Sequence, residues 1–251
     1  MQFLKRIAAA LCGQLVALAP NQFLAALIRH NPDLVVTKGA RSPTSFRWDN
    51  ANFKEGLEQF EDLAFLFWNT PLNRGLLRQD FDEAATLFKT VRSLRNPRGV
   101  EIGRFHGAST VLLGVAVGSA GKVTSIDLAP QNDDELLRVL RRAGVGDRVE
   151  LIAADANQVH RSEELDFVFI DGDHSYDGAR RDHNKWGKLV RVGGFIIHHD
   201  MANQREFASQ WSELKRLREN ILEKQEQALE LVKEVGSMSI LRRKSTAWVD
   251  L

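Results

Sequence analysis

The chain is poor in cysteine, in net charge and in long apolar segments, and each shortage limits the classes of protein to which it can belong. Cys12 is the single cysteine among 251 residues, which excludes an internal disulfide framework and fits a reducing, cytoplasmic compartment. The 34 Lys and Arg residues nearly balance the 33 Asp and Glu residues, giving a formal net charge of +1. Nothing global therefore draws the protein to nucleic acid, and any binding preference must be local.

An apolar segment at the amino terminus resembles a signal peptide, because Lys5-Arg6 precedes it and Ala17-Leu18-Ala19 looks like a cleavage site. The segment is too short to span a bilayer, and Gln14 interrupts it. Its apolar residues recur at helical spacing and form one face, namely Phe3, Ile7, Leu11, Leu15 and Leu18. We expect a helix that packs on its own domain or on a partner subunit of a homo-oligomer. A helix that touches a membrane surface stays an alternative.

Residues 1–80 are predicted to form a helical accessory region in front of the main domain at residues 81–251. Prolines interrupt the helical patterns, and Thr37–Asn50 reads as a loop. The region is rich in aromatic side chains, which either shape a substrate pocket or, as we favour, form core. These aromatic residues are Phe46, Trp48, Phe53, Phe60, Phe65, Phe67 and Trp68.

From residue 81 onward, short apolar runs alternate with helix-compatible segments. The runs are Gly99–Ile102, Val123–Ile126, Val149–Ala153, Leu165–Ile170 and Gly194–Ile197. The predicted helices are Phe81–Leu94, Asp133–Ala143 and Gln204–Gln227. Asp80 and Glu83 fit a capping box at the start of the first helix. Such alternation predicts an α/β fold with a doubly wound, mostly parallel sheet.

Two further apolar runs close the chain. Leu229–Val235 and Met238–Leu241 are separated by Gly236-Ser237, a pair that suits a tight antiparallel hairpin. With the five parallel runs, this hairpin brings the predicted sheet to seven strands.

Polar residues crowd the points where the predicted strands end. Asp171, Asp173 and His174 follow the run Leu165–Ile170, and Asp127 closes the second run. In an open parallel sheet ligands bind outside the carboxyl ends of the strands, so these residues predict a site. Asp127 is placed to accept hydrogen bonds from both hydroxyls of a ribose, or to serve as a turn aspartate.

The loop after the first strand contains Gly103 and Gly107, and glycines there let backbone approach a ligand closely. Their spacing departs from the G-x-G-x-x-G dinucleotide fingerprint. A nicotinamide-dependent oxidoreductase on a similar sheet is therefore an alternative with weak support.

The stretch Gly99–Asp200 resembles a class I S-adenosylmethionine (SAM)-dependent methyltransferase, which has a Rossmann-like fold. The matching motifs are Glu101-Ile102-Gly103, Gly107, Ser109-Thr110, Ser125-Ile126-Asp127, Ala154-Asp155-Ala156, Ile170-Asp171-Gly172-Asp173-His174 and Val192-Gly193-Gly194. The resemblance implies a methionine-binding first loop, a ribose held by Asp127, and an adenine beside Asp155 and Ala156. The cofactor-binding residues that it implies are Glu101, Gly103, Gly107, Ser109, Asp127, Asp155, Ala156 and Asp171.

The D-G-D-H-x-Y run, with a His-Asp pair ending the next strand, further resembles macrocin-type and catechol-type O-methyltransferases. Many of these use a divalent cation, which implies that Asp171 and Asp200 bind Mg²⁺. The third protein ligand is open, because Met201 stands where a further amide or acid would follow, and Asn203 lies two residues later.

The base that takes the hydroxyl proton is predicted to be Asp173 or His174. His198 and His199 are neighbours on a strand, so they point to opposite faces and cannot both face one ion. His199 is the better candidate for a pocket residue. Zinc or iron at these imidazoles, and an enzyme without a metal, remain alternatives.

The expected activity is in-line transfer of the sulfonium methyl group to a hydroxyl of a small molecule or glycan, with no nucleic acid involved. No covalent enzyme intermediate is needed. Besides the oxidoreductase, a non-catalytic scaffold protein on the same fold is the remaining rival.

Overall fold

The structure is a computed structural model that describes residues 48, 53, 55–67, 76–202 and 212–251. The chain divides into two compact units, and all of these residues belong to the one formed by Arg47–Trp68 and Leu76–Leu251. The other unit, Met1–Phe46 with Asn69–Gly75, lies outside the described residues. Several sequence predictions therefore fall outside them as well: the amino-terminal helix, Cys12, most of the loop Thr37–Asn50, Phe46, Trp68 and Asn203.

The described elements alternate as the apolar runs predict. The strands are β1 (Arg98–Ile102), β2 (Lys122–Asp127), β3 (Val149–Ala153), β4 (Leu165–Ile170), β5 (Val190–His198), β6 (Leu229–Val235) and β7 (Met238–Arg243). The α-helices are α1 (Phe81–Arg92), α2 (Ala108–Ala116), α3 (Asp133–Arg142), α4 (Tyr176–Gly187) and α5 (Ser212–Lys224). Two 3-10 helices, Phe60–Phe67 and Gly146–Arg148, complete the set.

The seven strands form one sheet in the order β3-β2-β1-β4-β5-β7-β6. The first five pair in parallel, whereas β7 runs antiparallel to both β5 and β6. The predicted doubly wound sheet with a closing hairpin is thus confirmed. Because β1 and β4 are neighbours although they are distant in sequence, their carboxyl ends meet at the point where the strand order reverses.

Strand β5 begins four residues before the predicted run Gly194–Ile197. The register on β4 explains this, since Leu165 pairs with Val190 and the next matched pair is Phe167 with Phe195. The intervening residues of β5 form a bulge, which inserts extra residues into one strand of a pair. An apolar run alone does not mark such an insertion.

The sheet buries apolar side chains on both faces, as alternation along each strand requires. Val168 and Ile170 of β4 pack in a cluster with Trp186 of α4 and Leu217 of α5, whereas Phe169 lies outside that cluster and is fully buried. Such two-sided burial explains why β4 reads as a continuous apolar run.

The aromatic residues before α1 pack within the same unit as the sheet. Phe53 stacks on Phe65 with 4.5 Å between ring centroids, and Phe60 lies edge-on to Phe81 at 5.4 Å. Trp48 is buried and donates Nε1–H to the carbonyl of His106 at 3.2 Å. The described aromatic residues therefore contribute to core, as favoured. Among the described residues, no helix combines the length and apolarity needed to cross a membrane.

Candidate active site

The loop between β1 and α2 requires glycine for reasons internal to the protein. Gly103 has φ +85°, and a Cβ there would lie 2.2 Å from the backbone oxygen of Asp171. Gly107 has φ +86°, and a Cβ there would lie 2.3 Å from Leu136 on α3. L side chains rarely adopt such a φ. The space that sequence reasoning assigned to a ligand is therefore occupied at these two positions by the chain itself, which brings the loop against the end of β4.

The same loop is fastened by a buried arginine that the sequence did not single out. The guanidinium of Arg104 forms a bidentate pair with Asp133, with distances of 2.9 and 2.5 Å. Its Nη1 also donates to the carbonyls of Ser125 and Ile152, at 3.0 and 2.9 Å. Arg104 thus ties the β1 loop to β2, β3 and α3, and a lone arginine between glycines carries no sequence signal for this.

Asp127 lies at the end of β2, as predicted, and its carboxylate is held by backbone. Oδ2 accepts N–H groups from Arg104 and Phe105, both at 2.8 Å, and Oδ1 accepts one from Ala129 at 2.8 Å. Asp127 therefore serves as a turn aspartate, which is one of its two predicted roles. A carboxylate oxygen has two lone pairs, so Oδ1 keeps capacity for a further donor.

Glu101 is fully buried behind the loop. Its Oε2 accepts hydroxyl hydrogen bonds from Thr110 and Ser125, both at 2.5 Å, and Oε1 is a buried atom without a hydrogen-bond partner among the described residues. Burial raises the pKa of Glu101, although the hydroxyl hydrogen bonds oppose that shift. Ser109, also predicted at the cofactor site, is buried at the start of α2.

The loop after β3 is clamped to helix α4. Asp155 accepts the N–H of Asn157 at 2.8 Å, and the carbonyl of the buried Ala156 accepts from Lys185 at 2.8 Å. The amide Nδ2 of Asn157 donates to Asp182 at 2.9 Å, and burial raises the pKa of Asp182 to about 6. Asp182 and Lys185 were missed by the sequence interpretation because they lie inside a helix with no motif.

Three predicted residues converge at the ends of β4 and β5. The side chains of Asp171, His174 and Asp200 each place one metal-ligating atom within 4.8 Å of the others. His174 Nε2 lies 3.1 Å from Asp200 Oδ2 and 4.0 Å from Asp171 Oδ1. Asp200 has φ +60°, an uncommon conformation that aspartate tolerates better than most residues. Two carboxylates and an imidazole in this arrangement fit a divalent cation.

Asp173, the other predicted base, faces away from this group. Its Oδ1 accepts the N–H of Ser175 at 2.8 Å, and its Oδ2 would lie 2.0 Å from a Cβ on Gly178. Ser175 caps α4 by accepting the N–H of Gly178 at 3.1 Å. Asp173 and Ser175 therefore build the start of α4, and Tyr176 is its first residue.

The two neighbouring histidines at the end of β5, His198 as its last residue and His199 directly after it, point to opposite faces, as strand alternation predicts. His198 Nε2 lies 2.9 Å from Nδ1 of the buried His183, on the side of the sheet covered by α4. His199 Nδ1 lies 3.2 Å from both Asp171 Oδ1 and Asp200 Oδ2. A single imidazole of the pair is thus directed at the candidate metal group.

A third carboxylate, that of Glu83, lies on the other side of the His199 ring. Nε2 of His199 is 3.4 Å from Oε2 of Glu83. The Glu83 carboxylate also accepts backbone N–H groups of Asp80 at 2.7 Å and Ser237 at 2.6 Å. The capping box at α1 is confirmed. Glu83 has an additional contact, with His199, that a local capping pattern does not reveal.

The charges in this cluster stabilise one another. Burial opposes ionisation of Asp200, but hydrogen bonds from His174 and His199 outweigh it and hold the pKa of Asp200 at about 2. The hydrogen bond to Asp200 raises the pKa of His174 despite burial. Burial lowers the pKa of His199, yet Asp171, Asp200 and Glu83 together raise it well above its usual value. The cluster is therefore strongly polar at neutral pH.

Comparison with known proteins finds a family model and relatives that match the part of the chain that holds these residues. A family of methyltransferase domains matches residues 100–201, which include Asp127, Asp171, His174 and Asp200. A caffeoyl-CoA O-methyltransferase of Populus kitakamiensis is 29% identical over 124 residues, which are 47% of this chain and 52% of that protein. The chain spans about half the length of the curated relatives it matches.

Solved structures match over more of the chain. The O-methyltransferase TomG from Streptomyces achromogenes, in complex with SAM, aligns with a TM-score of 0.55 and 18% identity, covering 67% of this chain and 82% of that one. An O-methyltransferase from Bacillus cereus, in complex with SAH, aligns with a TM-score of 0.52 and 19% identity, covering 94% of this chain and 97% of that one. The Rossmann-like methyltransferase fold is confirmed, and residues 100–201 match a methyltransferase domain.

Proposed function

We propose that this chain, with its class I methyltransferase domain, transfers the methyl group of SAM to a hydroxyl of a small molecule. The observation that carries the proposal is the meeting of two sites at one sheet edge. The glycine loop after β1 packs against the backbone of Asp171, and the side chain of Asp171 belongs to the group with His174 and Asp200. A methyl donor held by the loop and an acceptor beside the acids would thus be adjacent.

The residues at the ends of β1, β2 and β3 fit the cofactor. Asp127 is held in place by backbone N–H groups and keeps acceptor capacity on Oδ1 for ribose hydroxyls. Asp155 and Ala156 lie in a loop clamped to α4, where the adenine would bind. Glu101 supplies a fully buried carboxylate behind the loop, which hydrogen bonds from Ser109, Thr110 and Ser125 hold in place. We assign Gly103, Gly107 and Ser109 to the loop that holds the methionine part.

The transfer is a single displacement. The acceptor oxygen forms a bond to the methyl carbon while the bond from that carbon to sulfur breaks, and SAH leaves. The protein needs to align the two reactants, exclude water and accept the hydroxyl proton. Asp171 and Asp200 would hold a divalent cation, which supplies a lower pKa for a bound hydroxyl.

His174 is the better placed of the two predicted bases. Its side chain is 44% exposed, so a substrate can reach it, and Asp200 orients it at 3.1 Å. The hydrogen bond to Asp200 also raises the pKa of His174, which makes the neutral imidazole a stronger acceptor for the hydroxyl proton. Asp173, in contrast, is engaged at the start of α4.

The relatives named for caffeoyl-CoA support a small-molecule acceptor with neighbouring hydroxyls. Two vicinal oxygens suit a cation held by only a few carboxylates. A glycan acceptor, contact of the amino-terminal helix with a membrane surface, homo-oligomerisation and a cytoplasmic location stay predictions from the sequence.

The test separates the proposed function from its rivals. We expect SAH to bind in calorimetry and NAD not to bind, and we expect SAH to form when SAM and caffeoyl-CoA are incubated with the protein and MgCl₂ or MnCl₂. Binding of NAD instead of SAH would favour an oxidoreductase, and binding of neither would favour a scaffold. A caffeate ester and a methyl glycoside with adjacent hydroxyls extend the acceptor panel.

Two variants test the site itself. Asp171→Asn should leave SAH affinity nearly unchanged and abolish methyl transfer, because its side chain contacts the histidines and not the glycine loop. Asp177→Asn, an exposed aspartate on α4, is the matched control and should turn over at the wild-type rate. Full activity of Asp171→Asn would refute the assigned role.

A further inference from the structure

We propose that His199, backed by Glu83, is a third protein ligand of the cation at Asp171 and Asp200, and that this imidazole makes the site prefer a transition-metal ion to Mg²⁺. The inference rests on the proposed function, of which it specifies the cation. It assigns a ligand in place of the amide or acid that Met201 fails to supply, since Met201 is a buried thioether side chain.

The position of His199 is fixed by the sheet. Its backbone N–H donates to the carbonyl of Ile170 at 3.0 Å, immediately before Asp171. The imidazole is 6% exposed, and its Nδ1 lies 3.2 Å from one oxygen of Asp171 and 3.2 Å from one oxygen of Asp200. Three potential ligand atoms from two adjacent strand ends therefore surround one point.

The carboxylate of Glu83 determines which ring nitrogen of His199 carries the hydrogen. This carboxylate can only accept, and Oε2 lies 3.4 Å from His199 Nε2. Backbone N–H groups of Asp80 and Ser237 hold that carboxylate in place. With an ion bound, the hydrogen of His199 therefore belongs on Nε2, which leaves the lone pair of Nδ1 for the ion; without an ion, a hydrogen on Nδ1 bonds the oxygens of Asp171 and Asp200.

Three electron-rich atoms at this separation repel one another unless a positive centre lies among them. A metal ion supplies that centre, and a carboxylate behind a ligating histidine is the usual way in which its ring is oriented. A second proton on Nδ1 is the other source of positive charge, and the experiment separates the two.

The chemistry of the donors selects the ion. Mg²⁺ prefers oxygen ligands and retains its waters, whereas imidazole suits Zn²⁺, Co²⁺ and related ions. His198 is directed to the opposite face, so it does not compete. His174 is far more exposed than His199, with 44% against 6% of the side chain accessible, and it remains available to the substrate.

Calorimetric titration of the metal-free protein with CoCl₂, ZnCl₂ and MgCl₂ tests the proposal. We expect Co²⁺ and Zn²⁺ to bind more tightly than Mg²⁺, and the visible absorption of bound Co²⁺ to change in the His199→Gln variant. That variant removes the ligand itself and should lose more Co²⁺ affinity than the roughly 10- to 100-fold that follows loss of a group orienting a ligand, with little loss for Mg²⁺, because an amide oxygen replaces the ring nitrogen. Glu83→Gln should weaken Co²⁺ binding in the same direction.

The exposed His160 provides the matched control, and His160→Gln should bind Co²⁺ as the wild type does. Circular dichroism of each variant checks folding. Tighter binding of Mg²⁺, or equal Co²⁺ affinity in His199→Gln and wild type, would overturn the proposal. Absence of Co²⁺ binding would also overturn it and favour a protonated His199 as the positive centre. SAH binding, measured without metal in the same proteins, shows separately whether the proposed function stands.

Discussion

A buried histidine should make the stability of this protein fall steeply in mild acid. His183 on α4 is fully buried, and its Nδ1 lies 2.9 Å from His198 Nε2. Its Nε2 lies 2.7 Å from Oε1 of Gln225, whose Nε2 donates to the carbonyl of Val249 at 2.6 Å. The ring also stacks on Trp248, with centroids 5.3 Å apart. The Gln225 oxygen requires the hydrogen of His183 on Nε2, so Nδ1 is the acceptor from His198.

The size of the loss in stability follows from the shift in the pKa of His183. Burial lowers the pKa of His183 from 6.5 to about 4, against the opposing hydrogen bond to Gln225. The unfolded chain therefore binds a proton before the folded protein does, and stability is lost as the pH falls from about 6.5 towards about 4. One pKa unit corresponds to about 1.4 kcal/mol, so the full loss is about 3.4 kcal/mol, and about 2 kcal/mol of it falls between pH 7.5 and 5.0.

Urea denaturation at pH 7.5 and 5.0 measures this loss. The variant His183→Asn should be less stable than wild type at pH 7.5, because it leaves a cavity and a weaker hydrogen bond. Its further loss on going to pH 5.0 should be smaller than that of wild type by at least about 2 kcal/mol, because the buried imidazole of His183 is gone and His198, whose pKa His183 helps to lower, loses that neighbour. His160→Gln should lose as much as wild type. Equal losses in wild type and His183→Asn would refute the reasoning.

Two further predictions concern the loops of the site. Asp182→Ala should weaken SAH binding in calorimetry by about fivefold, because Asn157 loses its hydrogen-bond partner on α4. A fivefold loss corresponds to one hydrogen bond of about 1 kcal/mol. Asp182→Asn, which keeps an acceptor oxygen, should bind SAH as the wild type does. Gly103→Ala should destabilise the protein by more than about 1 kcal/mol in urea, because φ is +85° and the added Cβ would meet the backbone of Asp171. Gly146→Ala is the matched control, because a Cβ there would lie 3.3 Å from Cγ of Arg141 and at ordinary contact distances of 3.5 and 3.6 Å from its backbone. Equal stability of the two variants would contradict the steric argument.

The sequence predicted the strands well because buried strands have a local signature. Leu165–Ile170 matches β4 residue for residue, since the run is buried on both faces and ends at a polar residue. The hairpin around Gly236-Ser237 was equally readable, because a two-residue turn between apolar runs fixes the pairing of Val235 with Met238.

The contacts that complete the site were beyond sequence reasoning because they are long-range. Glu83 looked like a capping residue and nothing more, yet its carboxylate reaches Ser237, which is 154 positions away. The sequence did not distinguish Asp173 from His174 as the base, because the two residues are adjacent in the same loop. Their side chains separate because the chain turns there from the end of β4 into the start of α4.

The position of Glu83 has a consequence for the order in which the protein acquires its site. Glu83 lies in α1, near the start of the described domain, whereas its partners His199 and Ser237 come much later in the sequence. A chain emerging from the ribosome can form β1 to β4 and their helices before Ser237 has been synthesised. The imidazole of His199 would then lack its oriented carboxylate. A chain truncated before the final hairpin would lack Ser237, one of the two backbone donors that hold Glu83 behind His199.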